Sequence, residues 1–290
     1  MLFSKQLLQG VFREMRIAPA QVKDIFVGAK SIAPTAKYHY GQQQQQYVCY
    51  FHPEKIDPSK PVLVFFHGGC WMIGKPEMFT NRARIFVEAG YPVFMPTHRK
   101  IPHFWYGDIK EDLISIFQRL PEWMVTHNLQ DRPIVVGGMS SGGNLAALAN
   151  YDDSILETAG FPREKLIGSL FCAAPLNLEG MPDSIILRAF AGKKSLNAFR
   201  LASPINHLKA THHTPMMIVH GGNDGLVEYD SVVAFKNKAA EITKSPIKFV
   251  TIPKGAHISA VKWVGPDLQI RHMILDWLAN ISEKGRGSSE

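Results

Sequence analysis

Cysteine is scarce in this chain: Cys49, Cys70 and Cys172 are an odd number with no close spacing. That argues against a disulfide framework or a zinc knuckle. Long hydrophobic runs are missing too. No segment approaches the ~20 apolar residues that a membrane span needs. The start of the chain is interrupted early by Ser4, Lys5 and Gln6, unlike the apolar core of a secretory signal, so the expected compartment is the cytoplasm. Basic runs are absent: the 32 Lys and Arg residues are interspersed with 25 Asp and Glu, for a net charge of +7. Scattered charge of that size suits solubility and mild attraction for anions, not nucleic-acid binding. Histidine is plentiful, at 12 residues. Yet no H-E-x-x-H helix or cysteine partner accompanies His207, His212, His213 and His220, so no metal is expected. His98 and His103 read as solvated loop residues.

What is present is material for one large core. At 290 residues and 46% hydrophobic content, the chain suits a single α/β domain over 1–290. Phe3, Leu7, Leu8, Val11, Phe12 and Met15 mark one face of a helix within an N-terminal segment, 1–30. Residues 37–40 and 47–51 read as paired strands around Gly41, with the glutamine run 42–46 as a polar hairpin strand entering the sheet. Helices are expected at 80–89 and 108–127, on either side of a strand at 91–95. Strands are expected at 61–66, which is short and continuously apolar, and at 134–136, 166–173, 215–220 and 247–252, separated by helical stretches. That is the pattern of a mostly parallel sheet buried on both faces. A helix is expected at 267–281 and a frayed polar tail at 285–290.

The run Ile134-Val135-Val136 stops at Gly137-Gly138-Met139-Ser140-Ser141-Gly142-Gly143 and resumes as helix-forming Asn144-Leu145-Ala146-Ala147. These glycines do not fit G-x-G-x-x-G, and Gly143-Asn144 replaces the Lys-Ser/Thr of a phosphate loop. Gly138-x-Ser140-x-Gly142 instead has the spacing of a nucleophile elbow, a strained strand-to-helix turn that lifts a serine out of the sheet. Upstream, the strand 61–66 ends in His67-Gly68-Gly69-Cys70-Trp71, where a glycine pair can turn backbone N–H groups toward one point, as an oxyanion requires. Downstream, Asp224 lies just past the strand 215–220, and His257 lies in the loop after the last strand. Serine, aspartate and histidine thus come in the order of an α/β-hydrolase triad, each beyond a strand end where open α/β sheets place ligands.

His67-Gly68-Gly69-Cys70-Trp71 together with Gly138-Met139-Ser140-Ser141-Gly142-Gly143-Asn144-Leu145-Ala146 resembles the hormone-sensitive-lipase-like esterase branch of the α/β-hydrolases, and is similar to arylformamidases. The branch usually has a third glycine where this chain has Cys70, and often a Tyr-Arg pair where it has His98-Arg99. The resemblance implies an α/β-hydrolase fold: a mostly parallel central sheet with helices on both faces and a small cap, here at 177–213, with helical stretches at 183–190 and 196–201. It implies a Ser140, Asp224, His257 triad and an oxyanion hole from the N–H groups of Gly69, Cys70 and Ser141. Trp71, Phe104 and Trp105 are the candidate pocket lining. The implied activity is cleavage of a small-molecule carboxylic ester without cofactor. Two alternatives stand beside it: an arylformamidase acting on an N-formyl aromatic amine, and a non-catalytic ligand-binding protein on the same fold. A homodimer is left open.

Overall fold

The computed structural model describes Glu14 and residues 31–265 and 268–286. Its centre is an 8-stranded sheet in the order β1-β2-β4-β3-β5-β6-β7-β8. The strands are β1 (Ala36–His39), β2 (Tyr47–Phe51), β3 (Val62–Phe66), β4 (Val93–Pro96), β5 (Ile134–Met139), β6 (Leu166–Cys172), β7 (Met216–Gly221) and β8 (Ile247–Ile252). The first two pairings, β1 with β2 and β2 with β4, are antiparallel. From β4 to β8 every pairing is parallel. The helices between them are α1 (Thr80–Glu88), α2 (Tyr106–Thr126), α3 (Ser141–Tyr151), α4 (Asp153–Ala159), α5 (Ile185–Ala191), α6 (Asn197–Leu201), α7 (Tyr229–Ile242) and α8 (Leu268–Arg286).

The alternation of a strand distributes one apolar run between two cores. Val62, Val64 and Phe66 of β3 pack with Leu113 and Phe117 of α2, Leu148 of α3 and Phe235 of α7. Leu63 and Phe65 face the other way, toward Phe86 of α1, Trp263, and Trp277 and Leu278 of α8. Each fully buried large apolar side chain contributes about 1.5–3 kcal/mol relative to exposure, which explains why such strands need no polar face. The parallel strands all end on one side, so the segments after β3, β5, β7 and β8 meet there.

Some expectations are corrected. The glutamine run is the hairpin turn, not a strand: pairing ends at His39 and Tyr47, and Gln46 N–H closes onto Gln43 O at 2.9 Å. The Gln46 side chain turns inward and donates to buried Asp112 at 2.8 Å. Gly285 and Arg286, expected in a frayed tail, continue α8; one glycine costs a helix only about 1 kcal/mol, less than the packing of Trp277 and Leu278 supplies. An extra 3₁₀ segment, His257–Val264, starts at the expected histidine. The expected N-terminal helix, apart from Glu14, and the tail beyond 286 lie outside the described residues. No helix among the described residues is long and apolar enough to cross a membrane.

Candidate active site

The elbow follows from crowding. Ser140 links β5 directly to α3 and adopts φ 52°, ψ −127°, a sparsely populated region that costs about 1–3 kcal/mol. Its N–H donates to Cys172 O at 2.8 Å, tying the turn to the end of β6. A Cβ on Gly142 would lie 2.3 Å from the carbonyl oxygens of Phe66 and His67, and one on Gly138 would lie 2.4 Å from the Gly142 backbone. Backbone cannot yield as a side chain can, so both positions require glycine. All 11 residues of α3 are buried. Asn144, within it, donates to Pro175 O at 3.1 Å and Ala202 O at 3.2 Å.

The three candidate residues converge. His257 Nε2 lies 3.0 Å from Ser140 Oγ, while its Nδ1 lies 2.8 and 3.0 Å from the two Asp224 oxygens. With Nδ1–H donating to the carboxylate, Nε2 is free to accept the serine proton. Asp224 Oδ1 also accepts from the N–H groups of Leu226 and Val227, both at 2.9 Å. Burial pushes the Asp224 carboxyl up, but the His257 charge and these hydrogen bonds outweigh it and hold it below the usual carboxylate range. For His257, burial pushes down; the Asp224 charge and hydrogen bond, then Glu14, prevail and raise it above the ordinary histidine value.

Two further histidines, His220 and His67, have roles that the sequence does not assign. His220, fully buried at the end of β7, donates from Nε2 to Val227 O at 3.0 Å and sits 3.5 Å from Asp224 Oδ2. It braces the loop that carries the acid. His67 Nδ1 contacts Gly68 O at 2.7 Å, and its Nε2 lies 3.4 Å from the Lys100 ammonium. Because an ammonium can only donate, Nε2 accepts and Nδ1 carries the proton. Burial first, then the Lys100 and Arg82 charges, push His67 down to about 3, so the ring is neutral. Lys100 itself is pushed down to about 7 by burial. His98, expected in solvent, is buried and stacks on His67 at 5.7 Å.

After β3 the backbone turns sharply, with φ 132° at Gly69, 56° at Cys70 and 58° at Trp71. Gly69 O accepts from Met72 and Ile73 at 3.0 and 2.9 Å. Cys70 and Trp71 therefore occupy left-handed backbone that disfavours non-glycine residues, which gives the commoner third glycine at Cys70 a physical reason. The Cys70 thiol is pushed up by burial, away from thiolate character.

The three expected pocket aromatics have other contacts. Trp71 is 4% exposed and stacks on Phe190 of α5 at 4.1 Å, so it anchors the 177–213 insertion. The Arg99 guanidinium covers the Phe104 ring at 5.3 Å. Trp105, 50% exposed, folds back over Gly107, whose Cβ position lies 2.9 Å from the indole. Large aromatic faces gain most from packing, and Trp71 takes it from Phe190. Among the clustered histidines, His207 contacts Leu201 O at 2.8 Å and His212 contacts Asp153 at 3.2 Å.

Sheet order, helices on both faces and a serine on the β5–α3 turn define the α/β-hydrolase fold, and solved structures share it. A carbohydrate esterase from gut microbiota superposes with a TM-score of 0.76 at 16% identity, over 88% of this chain and 100% of its own. Esterase B from Lactobacillus rhamnosis does so with a TM-score of 0.71 at 18% identity, over 98% and 97%. The family described as BD-FAE matches residues 49–165. Among curated proteins, isoprenylcysteine alpha-carbonyl methylesterase ICME of Arabidopsis thaliana is 24% identical over 213 residues, 68% of this chain and 50% of its own. Esterase LipC of Mycobacterium tuberculosis is 21% identical over 223 residues, 69% of this chain and 54% of its own. The chain thus spans about half the length of the curated relatives it matches.

Proposed function

We propose that the protein is a serine hydrolase that cleaves short-chain or aryl carboxylic esters through an acyl-enzyme intermediate. The observation that carries this reading is the continuous relay from Ser140 Oγ through His257 to Asp224. Ser140 Oγ attacks the ester carbonyl as its proton passes to His257 Nε2, and the carbonyl oxygen becomes an oxyanion. That oxyanion is received by the N–H groups of Gly69, Cys70 and Ser141, the last at the N-terminus of α3, where negative charge is favoured. Collapse expels the alkoxide, protonated by His257, and leaves the acyl group on Ser140. Water, deprotonated by the same nitrogen, then releases the acid and restores the serine. The short 177–213 insertion favours small acyl groups, and relatives named as a methylesterase and an esterase point to the same class. A protein that only bound its ligand would have no use for a base within hydrogen-bond reach of the serine.

Aryl esters of increasing acyl length, assayed beside N-formylkynurenine, test the reading. Ester turnover is expected to fall from short to long acyl chains, and preference for the formamide would instead favour the arylformamidase. Ser140→Ala should lower kcat by about 10⁴-fold or more, while Ser141→Ala, which keeps its N–H, should retain most activity. Fluorophosphonate labelling of the Ser140→Ala protein at the native level would refute the assignment of nucleophile.

A further inference from the structure

Glu14 stands far from the triad in sequence and beside it in space. Its carboxylate is 7% exposed, and a single oxygen, Oε1, accepts from the backbone N–H groups of both Gly225 and His257, each at 2.9 Å. Those donors belong to the two loops that carry the acid and the base. Deeper down, the loops are joined by Asn223 N–H to Gly255 O at 2.8 Å and Gly222 N–H to Ile252 O at 2.9 Å. Glu14 adds a bridge at the level of Asp224 and His257 themselves. Three consecutive amides are divided between two carboxylates: Leu226 and Val227 go to Asp224, and Gly225 goes to Glu14.

We infer that Glu14 is a positioning residue: it locks the Asp224 loop to the His257 loop and places a fixed negative charge behind the imidazole. The effect on turnover rests on the hydrolase reading above; the effect on the imidazole does not. His257 faces Asp224 at Nδ1, Ser140 at Nε2 and Glu14 at its backbone N–H, with His220 on the far side of Asp224. Burial pushes His220 down, so at neutral pH the charges on His257 are those of the two carboxylates. Both favour the imidazolium, Asp224 more strongly than Glu14. A carboxylate therefore does two separable things here, accepting two hydrogen bonds and supplying charge.

Glu14→Gln separates them, because a glutamine Oε1 can still accept both bonds. The imidazolium loses one stabilising charge, so the acid limb of kcat/KM should move to lower pH by a few tenths of a unit, with plateau kcat within about 2-fold of wild type. Glu14→Ala removes the bridge as well and should lower plateau kcat by about 10-fold or more, with KM little changed, since small misplacements of reacting groups are costly. Glu54→Gln, an exposed change of the same charge, serves as control and should leave the limb in place. The His257 ring titration followed by NMR gives the imidazole value with or without turnover. Superimposable titrations of wild type and Glu14→Gln would overturn the electrostatic role, and wild-type kcat in Glu14→Ala would overturn the bridge. Should Glu14→Ala fail to fold, Glu14→Gln still decides the charge. A shifted ring titration in a protein that hydrolyses no ester would sink the hydrolase reading and leave Glu14 its role.

Discussion

The Ser140 side and the Asp224–His257 side of the candidate site are built by different physics. Ser140 is held by steric force: β5 and α3 are buried throughout, glycine contacts leave no room for a Cβ, and the serine backbone is strained. Asp224 and His257 stand on loops after β7 and β8, and β8 itself is only partly buried at the sheet edge. There the positions are set by carboxylates accepting backbone N–H groups and by the ring of His220. Packing tolerates no added volume but is indifferent to charge; polar bracing tolerates volume but answers to charge and pH. The two halves should therefore fail in different ways.

The largest effect should come from Asp224→Asn. Losing the carboxylate removes both the tautomer selection and the stabilisation of the imidazolium, so kcat/KM should drop by about 10³–10⁴-fold with little change in thermal stability. Asp230→Asn, in the first turn of α7 and exposed, should cost little. Equal losses would remove Asp224 from its role. In the proposed mechanism only neutral His257 can accept the serine proton. Since His257 is raised above the ordinary value, kcat/KM should rise with pH through a limb centred above about 6.5.

Gly142→Ala probes the other side. A methyl group 2.3 Å from two carbonyl oxygens forces β3 and α3 apart at a cost of about 1–3 kcal/mol. Calorimetry should show a Tm several degrees lower, and the loss should not vary with pH. A stable, fully active variant would mean the elbow is looser than its contacts require. The smallest effect is expected at Cys70. Cys70→Gly relieves a left-handed backbone of about 1 kcal/mol and keeps the N–H, so activity should persist with a wider acyl range on the ester panel. A fall to the level of Ser140→Ala would make the thiol a participant in the chemistry.

Much of this architecture is legible in the sequence because parallel strands buried on both faces must be continuous apolar runs, as β3, β5 and β7 are. The three candidate residues are legible for a related reason: Ser140 follows β5 at once, and Asp224 and His257 lie within five residues of the ends of β7 and β8, where topology brings strand ends together. Glu14 is invisible at that level, because 243 positions separate it from His257 and no local pattern marks an acceptor for distant amides. His220 reads as the last residue of a strand, with nothing to show that its ring faces Asp224. The contacts of the aromatics are illegible for the opposite reason. An indole in a loop has the same local appearance whether it meets substrate or, like Trp71, another ring of the protein.

Asn144 has a consequence for motion. Its amide holds Pro175 O, just before the 177–213 insertion, and Ala202 O within it, while Leu178 N–H meets Ser203 Oγ at 2.9 Å and Ile205 N–H meets Leu176 O at 3.0 Å. A flap swings about free hinges, and here two carbonyls are fastened to a helix buried throughout. Under the proposed hydrolase reading, turnover should then require no swing of this segment.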